Sequence, residues 1–336
     1  MSRFGTTLGR FLQEEQLKHP ELDPGIAPLL MQMAYASKII AREVGRAALV
    51  GKLGLMGEKN ATGDSQKKLD VFSSETVLDA YSSNGLVYAM VSEEIEKLVA
   101  LPGGEDSQYV VCCDPVDGSS NTDINGSLGT IFGFWPRIPG ATLQENALRK
   151  GSDQLFAGYV MYSTSTLLVY ATAAGVNGFT LDRELGEFLL SHEDVKCPKR
   201  GHYYSANLGH AHEWSVGIRN YLQWVTDDDK ETHRPYSLRY TGALVADCHR
   251  SLVDGGLYFY PPDPSHPEGK LRLLYECAPL GFILEKAGGA ASTGTERILD
   301  IQATNIHERC PLVIGSEEDV AEYEHFESGP MRKAQA

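Results

Sequence analysis

Apolar residues recur at helical spacing through "PLLMQMAYASKIIAREVGRAALVG" (28–51), at Leu29, Leu30, Met33, Ala36, Ile39, Ile40, Val44 and Ala47. A period of three to four predicts an amphipathic helix, with Gly51 as its stop. "LDVFSSETVLDAYSSNG" (69–85) predicts a second helix, ended by Asn84-Gly85. "LVYAMVSEE" (86–94) and "YVVCCDP" (109–115) read differently. Each is a short unbroken apolar run, the mark of a buried strand, and each stops at acids. Leu155 to Leu181 contains no charged residue and is long enough to cross a bilayer. Ser163, Thr164, Ser165, Thr166 and Gly175 break it up. It therefore predicts consecutive buried strands, with Asn177-Gly178 as a hairpin signal.

In the second half, "SLVDGGLYFYPPD" and "KLRLLYE" predict strands. "CAPLGFILEKAGG" predicts a helix with Pro279 in its first turn and Gly288 at its end. Helices and strands in mixture point to an α/β (α+β) layered sandwich of sheets and helices. A change of character at "VKCPKRGHYYSAN" (195–207) predicts a boundary there. It divides the chain into an N-terminal domain of residues 1–197 and a C-terminal domain of residues 198–336.

Composition narrows the partners. The 336 residues are 42% hydrophobic and 22% charged, as in a soluble globular protein with room for two cores. A net charge of −15 makes nucleic acid and anionic membranes poor partners. A phosphorylated ligand is repelled too unless cations intervene. The six cysteines form no C-x-x-C pair, and Cys112 and Cys113 are adjacent in an apolar strand. Core packing and a reducing compartment are the expected reading. The N-terminus lacks an apolar signal core and carries Glu14, Glu15, Glu21 and Asp23, so a cytoplasmic location is expected.

The acids at the strand ends carry the chemistry. Glu93 and Glu94 close one predicted strand, Asp114 and Asp117 the other. Asp64 and Asp70 lie in "GDSQKKLD", and Glu276 follows "KLRLLY". Strand C-termini in α/β sheets are where ligands bind. Carboxylates gathered there repel one another unless cations sit between them, and hard divalent cations take oxygen ligands. Such ions reverse the local sign of an acidic protein and let it hold phosphate. "DPVDGSS" then divides into jobs: two carboxylates, Pro115 to stiffen the turn, the Val116 carbonyl as a neutral ligand, and Gly118, Ser119 and Ser120 as bare amides that cradle phosphate. Lys270 and Arg272, two apart on the predicted strand, point the same way.

"DPVDGSSNTD", upstream "GDSQKKLD" and "SEE", and downstream "SAN", "RYTGALVADCHR" and "GKLRLLYECAPLGFILEKAGG" closely resemble class I fructose-1,6-bisphosphatase. That family belongs to the Mg²⁺-dependent, lithium-sensitive sugar phosphatases that include the inositol monophosphatases. The resemblance runs from about residue 7 to about residue 320. It implies hydrolysis of the 1-phosphate of fructose 1,6-bisphosphate by a metal-activated water, in gluconeogenesis. It further implies that Glu93, Asp114, Asp117, Glu276 and the Val116 carbonyl hold about two to three Mg²⁺ ions. Mn²⁺ is a substitute, and Asp64 marks a looser third site. Asp70 and Glu94 orient and deprotonate the water. Gly118, Ser119, Ser120 and Arg272 hold the 1-phosphate. Asn207, His210, Tyr240, Tyr260 and Lys270 hold the sugar and 6-phosphate, and Arg239 reaches in from a neighbouring subunit of a homotetramer.

The chain departs from the family pattern in places. His210 stands where the family has a tyrosine. "FGFWP" and "ECAPLG" lean toward sedoheptulose-1,7-bisphosphatase. A catalytically silent homologue is disfavoured, because no expected carboxylate is missing. Residues 134–160 lack the cysteines of the thiol-regulated chloroplast members. For AMP, the family's allosteric inhibitor, Glu21, Tyr109 and Arg137 stand in or beside the expected positions. Gln108 and Pro136 replace two cations, so AMP inhibition is expected to be weak.

Overall fold

The structure, a computed structural model, describes residues 5–51, 54–59, 65–82, 85–104 and 106–328. Strands β1 (Leu55–Lys59) and β2 (Ser65–Lys67) form a small ribbon. Strands β3 (Val87–Ser92), β4 (Val99–Ala100), β5 (Tyr109–Asp117), β6 (Leu128–Pro136), β7 (Phe156–Tyr162), β8 (Thr166–Thr172), β9 (Gly175–Asp182) and β10 (Glu187–His192) make an eight-stranded sheet. Its order is β10-β9-β8-β7-β6-β5-β3-β4, with β3 and β5 parallel and the other neighbours antiparallel among the described residues. Strands β11 (Tyr203–Ser205), β12 (Ser237–Leu238), β13 (Leu257–Tyr260), β15 (Gly289–Ser292) and β17 (Leu312–Ser316) form a second sheet of five, in the order β12-β11-β13-β17-β15. The short β14 (Leu271–Arg272) and β16 (Arg309–Cys310) pair beside it.

Helices fill the spaces between and outside the sheets. Helices α1 (Leu8–Lys18), α2 (Ile26–Val44) and α3 (Lys68–Ser82) cover one face of the large sheet. There Phe11, Leu29, Met33, Ile40, Leu69 and Tyr81 pack on Val111, Cys113, Phe132, Phe134, Phe156 and Phe179. The short α4 (Leu143–Ala147) follows β6. Helices α6 (Leu244–Asp254) and α7 (Ala278–Lys286) lie on the opposite face, between the two sheets. Helices α5 (Val216–Thr226) and α8 (Glu317–Ser328) cover the far side of the small sheet around Trp214, Tyr221, Phe259 and Tyr323. The result is five layers, alternating helix and sheet, as the mixed pattern predicts. Adjacent side chains of a strand point to opposite faces. Cys112 accordingly enters the core between the sheets and Cys113 the outer one. All six cysteines are buried and free. Among the described residues no helix is long and apolar enough to cross a membrane.

Several expected boundaries move, each for a tertiary reason. Helix α2 ends at Val44, with Gly45 as its cap, rather than at Gly51. Beyond it the chain continues in turns that bury Ala47 but leave Leu49 86% exposed. Helix α3 stops at Ser82, and its expected Asn84 stop lies outside the described residues. Asn177-Gly178 is not a turn: both residues lie inside β9, opposite Tyr170 and Val169. The reversal falls at Ala173–Ala174, where the Ala174 amide donates to Thr172 Oγ1. Asn177 instead accepts from the Asp194 amide, and Gly178 leaves room for His192, whose Cβ a Cβ at that glycine would meet at 3.1 Å. "SLVD" completes α6, and Gly255 and Gly256, both at positive φ, turn the chain into β13. Of "KLRLLYE" only Leu271–Arg272 is strand. Leu273–Cys277 is a π-helical turn that runs into α7 and is buried on every side, so its apolar run has no period to read. Strand β5 continues through Asp-Pro to Asp117, with a register irregularity between Asp114 and Asp117 that bends its end.

His249, on α6, gives the fold a measurable pH response. Its Nδ1 lies 2.7 Å from the Tyr159 hydroxyl, and burial, helped by His192 and Arg250 and opposed by Asp254, pushes its pKa down to about 4. An unfolded histidine takes its proton near 6.5. Between those values the unfolded chain binds the extra proton, so this residue's contribution to stability is lost as pH falls from about 6.5 to about 4. The slope reaches at most about 1.4 kcal/mol per pH unit. Urea unfolding of the wild type and of His249→Gln at pH 6.5 and pH 5 measures it. The wild type should lose more stability than the variant. An equal loss in both would remove His249 as the cause.

Candidate active site

Strands β3 and β5 run parallel, so their C-terminal ends open on the same edge of the sheet. A cleft of about 380 Å³ lies there. Glu93 and Glu94 follow β3 directly, while Asp114, Val116 and Asp117 end β5. Asp70 enters from the first turn of α3 and accepts the Lys67 amide at 2.8 Å. Glu276 comes from the π-helical turn, not from a strand end as expected, and its Oε2 accepts the Arg272 amide at 2.5 Å. Inside the β5 loop, Asp114 Oδ1 accepts the Val116 amide at 3.0 Å, and the Pro115 carbonyl accepts from the Thr130 hydroxyl at 2.8 Å. Gly118, at φ +74°, then turns the chain into the 3₁₀ segment Ser119–Ile124. Few residues but glycine take that conformation cheaply.

Asp117 has partners that no local pattern announces. Its Oδ1 accepts the Leu244 amide at 3.2 Å and its Oδ2 the Val245 amide at 2.8 Å. The carboxylate thus takes the place of the missing side-chain cap of α6, whose own N-cap is Ala243. Arg272 is held between two carboxylates, 2.9 Å from Glu93 and 3.6 Å from Glu276.

The electrostatics follow from crowding. Burial pushes Glu93 up to about 8, with Glu276 and Glu94 adding to the rise and Arg272 opposing it. Burial also lifts Asp114 well above the carboxylate range, and the charges of Glu93, Glu276 and Asp117 reinforce it. Asp117 rises to about 7 through burial despite its two amide donors. Asp70 also rises to about 7, through burial and then Glu94, against the Lys67 amide. Burial raises Glu276 as well, with Arg272 opposing. Negative charge is in excess here. The donors are carboxylate oxygens and a carbonyl, without imidazole or thiolate, which fits hard divalent cations.

Most of the expected residues meet in this one cleft. Its walls bring Asp70, Glu93, Glu94, Asp114, Val116, Asp117, Gly118, Ser119, Ser120 and Glu276 together with Tyr240, Tyr260, Lys270 and Arg272. Lys270 precedes the two-residue β14, so the shared direction of Lys270 and Arg272 comes from the fold around them. Asn207, His210 and Arg239 stand off this wall. His210 Nδ1 turns to Glu213 at 2.9 Å, and the exposed Arg239 donates to the Leu238 carbonyl. Asp64 lies outside the described residues. The three residues expected at an effector site each have a partner of their own. Glu21 bonds His19, the Tyr109 hydroxyl donates to Asp23 at 2.6 Å, and Arg137 stacks over Tyr88. Sequence reading missed Lys67, which lines the cleft and pairs with Asp123 at 2.8 Å, although it lies midway between Asp64 and Asp70 in "GDSQKKLD". It also missed the α6 amides, for which there was no local signal.

Known proteins resemble this chain over nearly its whole length. Residues 6–193 match the family model described as Fructose-1-6-bisphosphatase, N-terminal domain, and residues 197–328 match its C-terminal domain counterpart. A fructose-1,6-bisphosphatase class 1 of Acaryochloris marina is 51% identical over 328 residues, spanning 97% of this chain and 98% of that protein. One from Chlorobium chlorochromatii is 47% identical over 326 residues, spanning 96% and 98%. The crystal structure of Leishmania major fructose-1,6-bisphosphatase in holo form superposes with a TM-score of 0.89 at 36% identity, covering 96% of this chain and 99% of that one.

Mutual repulsion in the cleft has a thermal consequence. Asp114→Asn removes a carboxyl whose burial costs either an uncompensated charge or the uptake of a proton, and keeps an oxygen for the Val116 amide. Without divalent cations the variant should melt a few degrees higher than the wild type, about 2–4 °C for each kcal/mol of repulsion relieved. Added Mg²⁺ should raise the melting temperature of the wild type and barely move that of the variant. Differential scanning calorimetry with and without Mg²⁺ reads both. A variant that melts lower in the absence of metal would contradict the repulsion.

Proposed function

Since the chain belongs to the class I fructose-1,6-bisphosphatase family and hydrolyses fructose bisphosphate, we propose how its cleft divides that work. The family generally uses divalent metal ions. In this chain Glu93, Asp114, Asp117, Glu276 and the Val116 carbonyl would hold them, about two to three Mg²⁺ per subunit with Mn²⁺ as substitute, and Asp64 would serve a third position. When bound, the ions neutralise phosphate charge and make water a better nucleophile. The remaining work belongs to side chains and amides. Asp70 and Glu94 orient the attacking water and take its proton. The amides of Gly118, Ser119 and Ser120, with Arg272, hold the 1-phosphate in line with that water. Tyr240, Tyr260 and Lys270 hold the sugar and the 6-phosphate, with Asn207 and His210 at the outer end. The product is fructose 6-phosphate, as gluconeogenesis requires.

The observation that supports this reading is the convergence of both halves of the chain on one cleft: carboxylates from the first, Lys270, Arg272 and two tyrosines from the second. On that basis we read residues 1–197 as a domain that carries the allosteric region and the metal-binding strand ends, and residues 198–336 as the sugar-phosphate-binding domain, which also contributes Glu276. The family is generally oligomeric, and we read this chain as a homotetramer. Leu17, Met31 and Tyr35 on α1 and α2 are exposed apolar groups available for burial between copies. Exposed Arg239 is available to a neighbour's cleft. Six buried free thiols suit a reducing compartment such as the cytoplasm.

A second reading, dual action on sedoheptulose 1,7-bisphosphate, rests on "FGFWP" and "ECAPLG" and on His210, which stands where the family has a tyrosine and bonds Glu213 at 2.9 Å. Phosphate release from both bisphosphates, measured side by side with Mg²⁺, tests the two. Fructose 1,6-bisphosphate should give the higher kcat/KM. A preference for the seven-carbon sugar would reverse the assignment, and no release from either would make the chain a silent homologue.

AMP, the family's effector, should inhibit only weakly. Its phosphate would need the start of α2, where the Asp23 carboxylate already accepts the Gly25 amide at 2.8 Å and the Tyr109 hydroxyl. Gln108 supplies no charge, and Arg137 donates to the Ser107 carbonyl at 3.1 Å. Loss of one charge-assisted hydrogen bond costs about 1.5–3 kcal/mol, roughly ten- to a hundredfold in affinity. Titration of activity with AMP decides the matter, and inhibition at low micromolar AMP would show the site intact.

A further inference from the structure

The segment from Tyr240 to Val245 touches both halves of the cleft. At its start, Tyr240 is a wall residue. At its end, Leu244 and Val245 give their amides to Asp117. In the middle, Ala243 packs against Gly118 so closely that a Cβ on that glycine would stand 2.7 Å from the Ala243 Cβ. Asn121, in the 3₁₀ segment after the phosphate cradle, donates Nδ2 to the carbonyls of Ser127 and Thr241, both at 3.2 Å.

Asp247 fixes this segment. It lies in the first turn of α6 and is 1% exposed. Its carboxylate accepts the Thr241 amide at 3.1 and 3.2 Å and the Thr241 hydroxyl at 2.9 Å. A carboxylate in a first turn is favoured by the helix dipole wherever it points. This one directs its acceptors outside the helix, to the residue beside Tyr240. Burying a charge is costly unless its oxygens are bonded, so the clasp is a rigid one.

We propose that Asp247 is a positioning residue for the phosphatase reaction: by clasping Thr241 it holds Tyr240 against the sugar, and through the first turn of α6 it keeps that tyrosine in register with Asp117 and the Gly118 cradle. The proposal rests on the reading of Tyr240 as a substrate contact. The two sides of the substrate are then gripped by parts that move together, although they come from positions more than a hundred residues apart. A helix-starting role alone would affect stability without touching substrate affinity, which separates the two accounts.

Steady-state kinetics on fructose 1,6-bisphosphate with saturating Mg²⁺, together with melting temperatures, form the test. Asp247→Ala should raise KM about tenfold while kcat falls less. Asp247→Asn keeps an oxygen for the Thr241 amide and an N–H for its hydroxyl, so it should recover most of the KM. Tyr240→Phe should raise KM by itself. The double variant Asp247→Ala/Tyr240→Phe should be little worse than the poorer single one, because both remove the same contact. Should Asp247→Ala fail to fold, Thr241→Ala removes only the hydroxyl half of the clasp and should still raise KM, by about threefold. The proposal is overturned if these variants lower only the melting temperature, if the two KM penalties multiply, or if Asn is no better than Ala. An unchanged KM in Tyr240→Phe would refute the reading of Tyr240 and, with it, the route proposed for Asp247. A raised KM in Tyr240→Phe beside an unchanged one in Asp247→Ala would refute the route alone.

Discussion

Buried carboxylates held close to one another are the constraint on which this molecule turns. Asp70, Glu93, Asp114, Asp117 and Glu276 all have raised proton affinities, with desolvation the largest cause in each. A cluster of this kind survives only if the fold supplies donors from outside it. It does so with backbone amides of Lys67, Leu244, Val245 and Arg272 and with the Arg272 guanidinium. Those donors are fixed in place by helices and strands, so they do not have to be ordered at the moment of reaction. Under the proposed reading divalent cations would complete the balance, and the burial of these carboxyls is a cost to stability of the kind functional sites commonly carry.

The layered architecture is what brings the donors there. In a largely antiparallel sheet, the parallel pairing of β3 with β5 puts two strand ends on one edge. Layer α6–α7 is shared by both sheets, so its packing on Cys112, Ile131 and Tyr159 fixes the second half of the chain against the first. The start of α6 then falls beside Asp117, and the π-helical turn before α7 brings Glu276 beside Glu93. A π-turn widens a helix locally and is often found where a functional side chain must be turned inward. Here it starts directly after Arg272 and carries Glu276 into the same cleft.

What the sequence revealed and what it concealed divide along the same line. The strand ends were legible because Glu93, Asp114 and Asp117 lie next to unbroken apolar runs, and because "DPVDGSS" holds ligand, turn and cradle within a few residues. The five-layer fold was legible as a mixture of periods, though not as an order of strands. Asn177-Gly178 misled because the chain uses its small size against His192 rather than its turn preference. "KLRLLYE" misled because a segment buried on every side shows no period. The amides that hold Asp117 lie 127 and 128 residues away in sequence, and the Asn121 contact to Thr241 spans 120. Backbone amides carry no residue identity, so no pattern of letters can announce them.

Charge gives the last link between site and assembly. The chain carries −15, and most of the cationic groups in the cleft are already engaged. Lys67 pairs with Asp123, and Arg272 spans Glu93 and Glu276, while Lys270 lies over the Tyr260 ring. A sugar bisphosphate brings two strongly charged ends. As proposed above, metal ions would answer one of them, and the other would lie toward Tyr240 and Lys270, where a single lysine from the chain's own wall would face a dianion. Under the proposed reading an arginine from a neighbouring copy supplies the missing charge, and exposed Arg239, next to Tyr240, is placed on the surface for that exchange. Substrate affinity then depends on assembly through electrostatics rather than through any change of shape, and a loop clasped by Asp247 carries both the chain's own tyrosine and the arginine it lends.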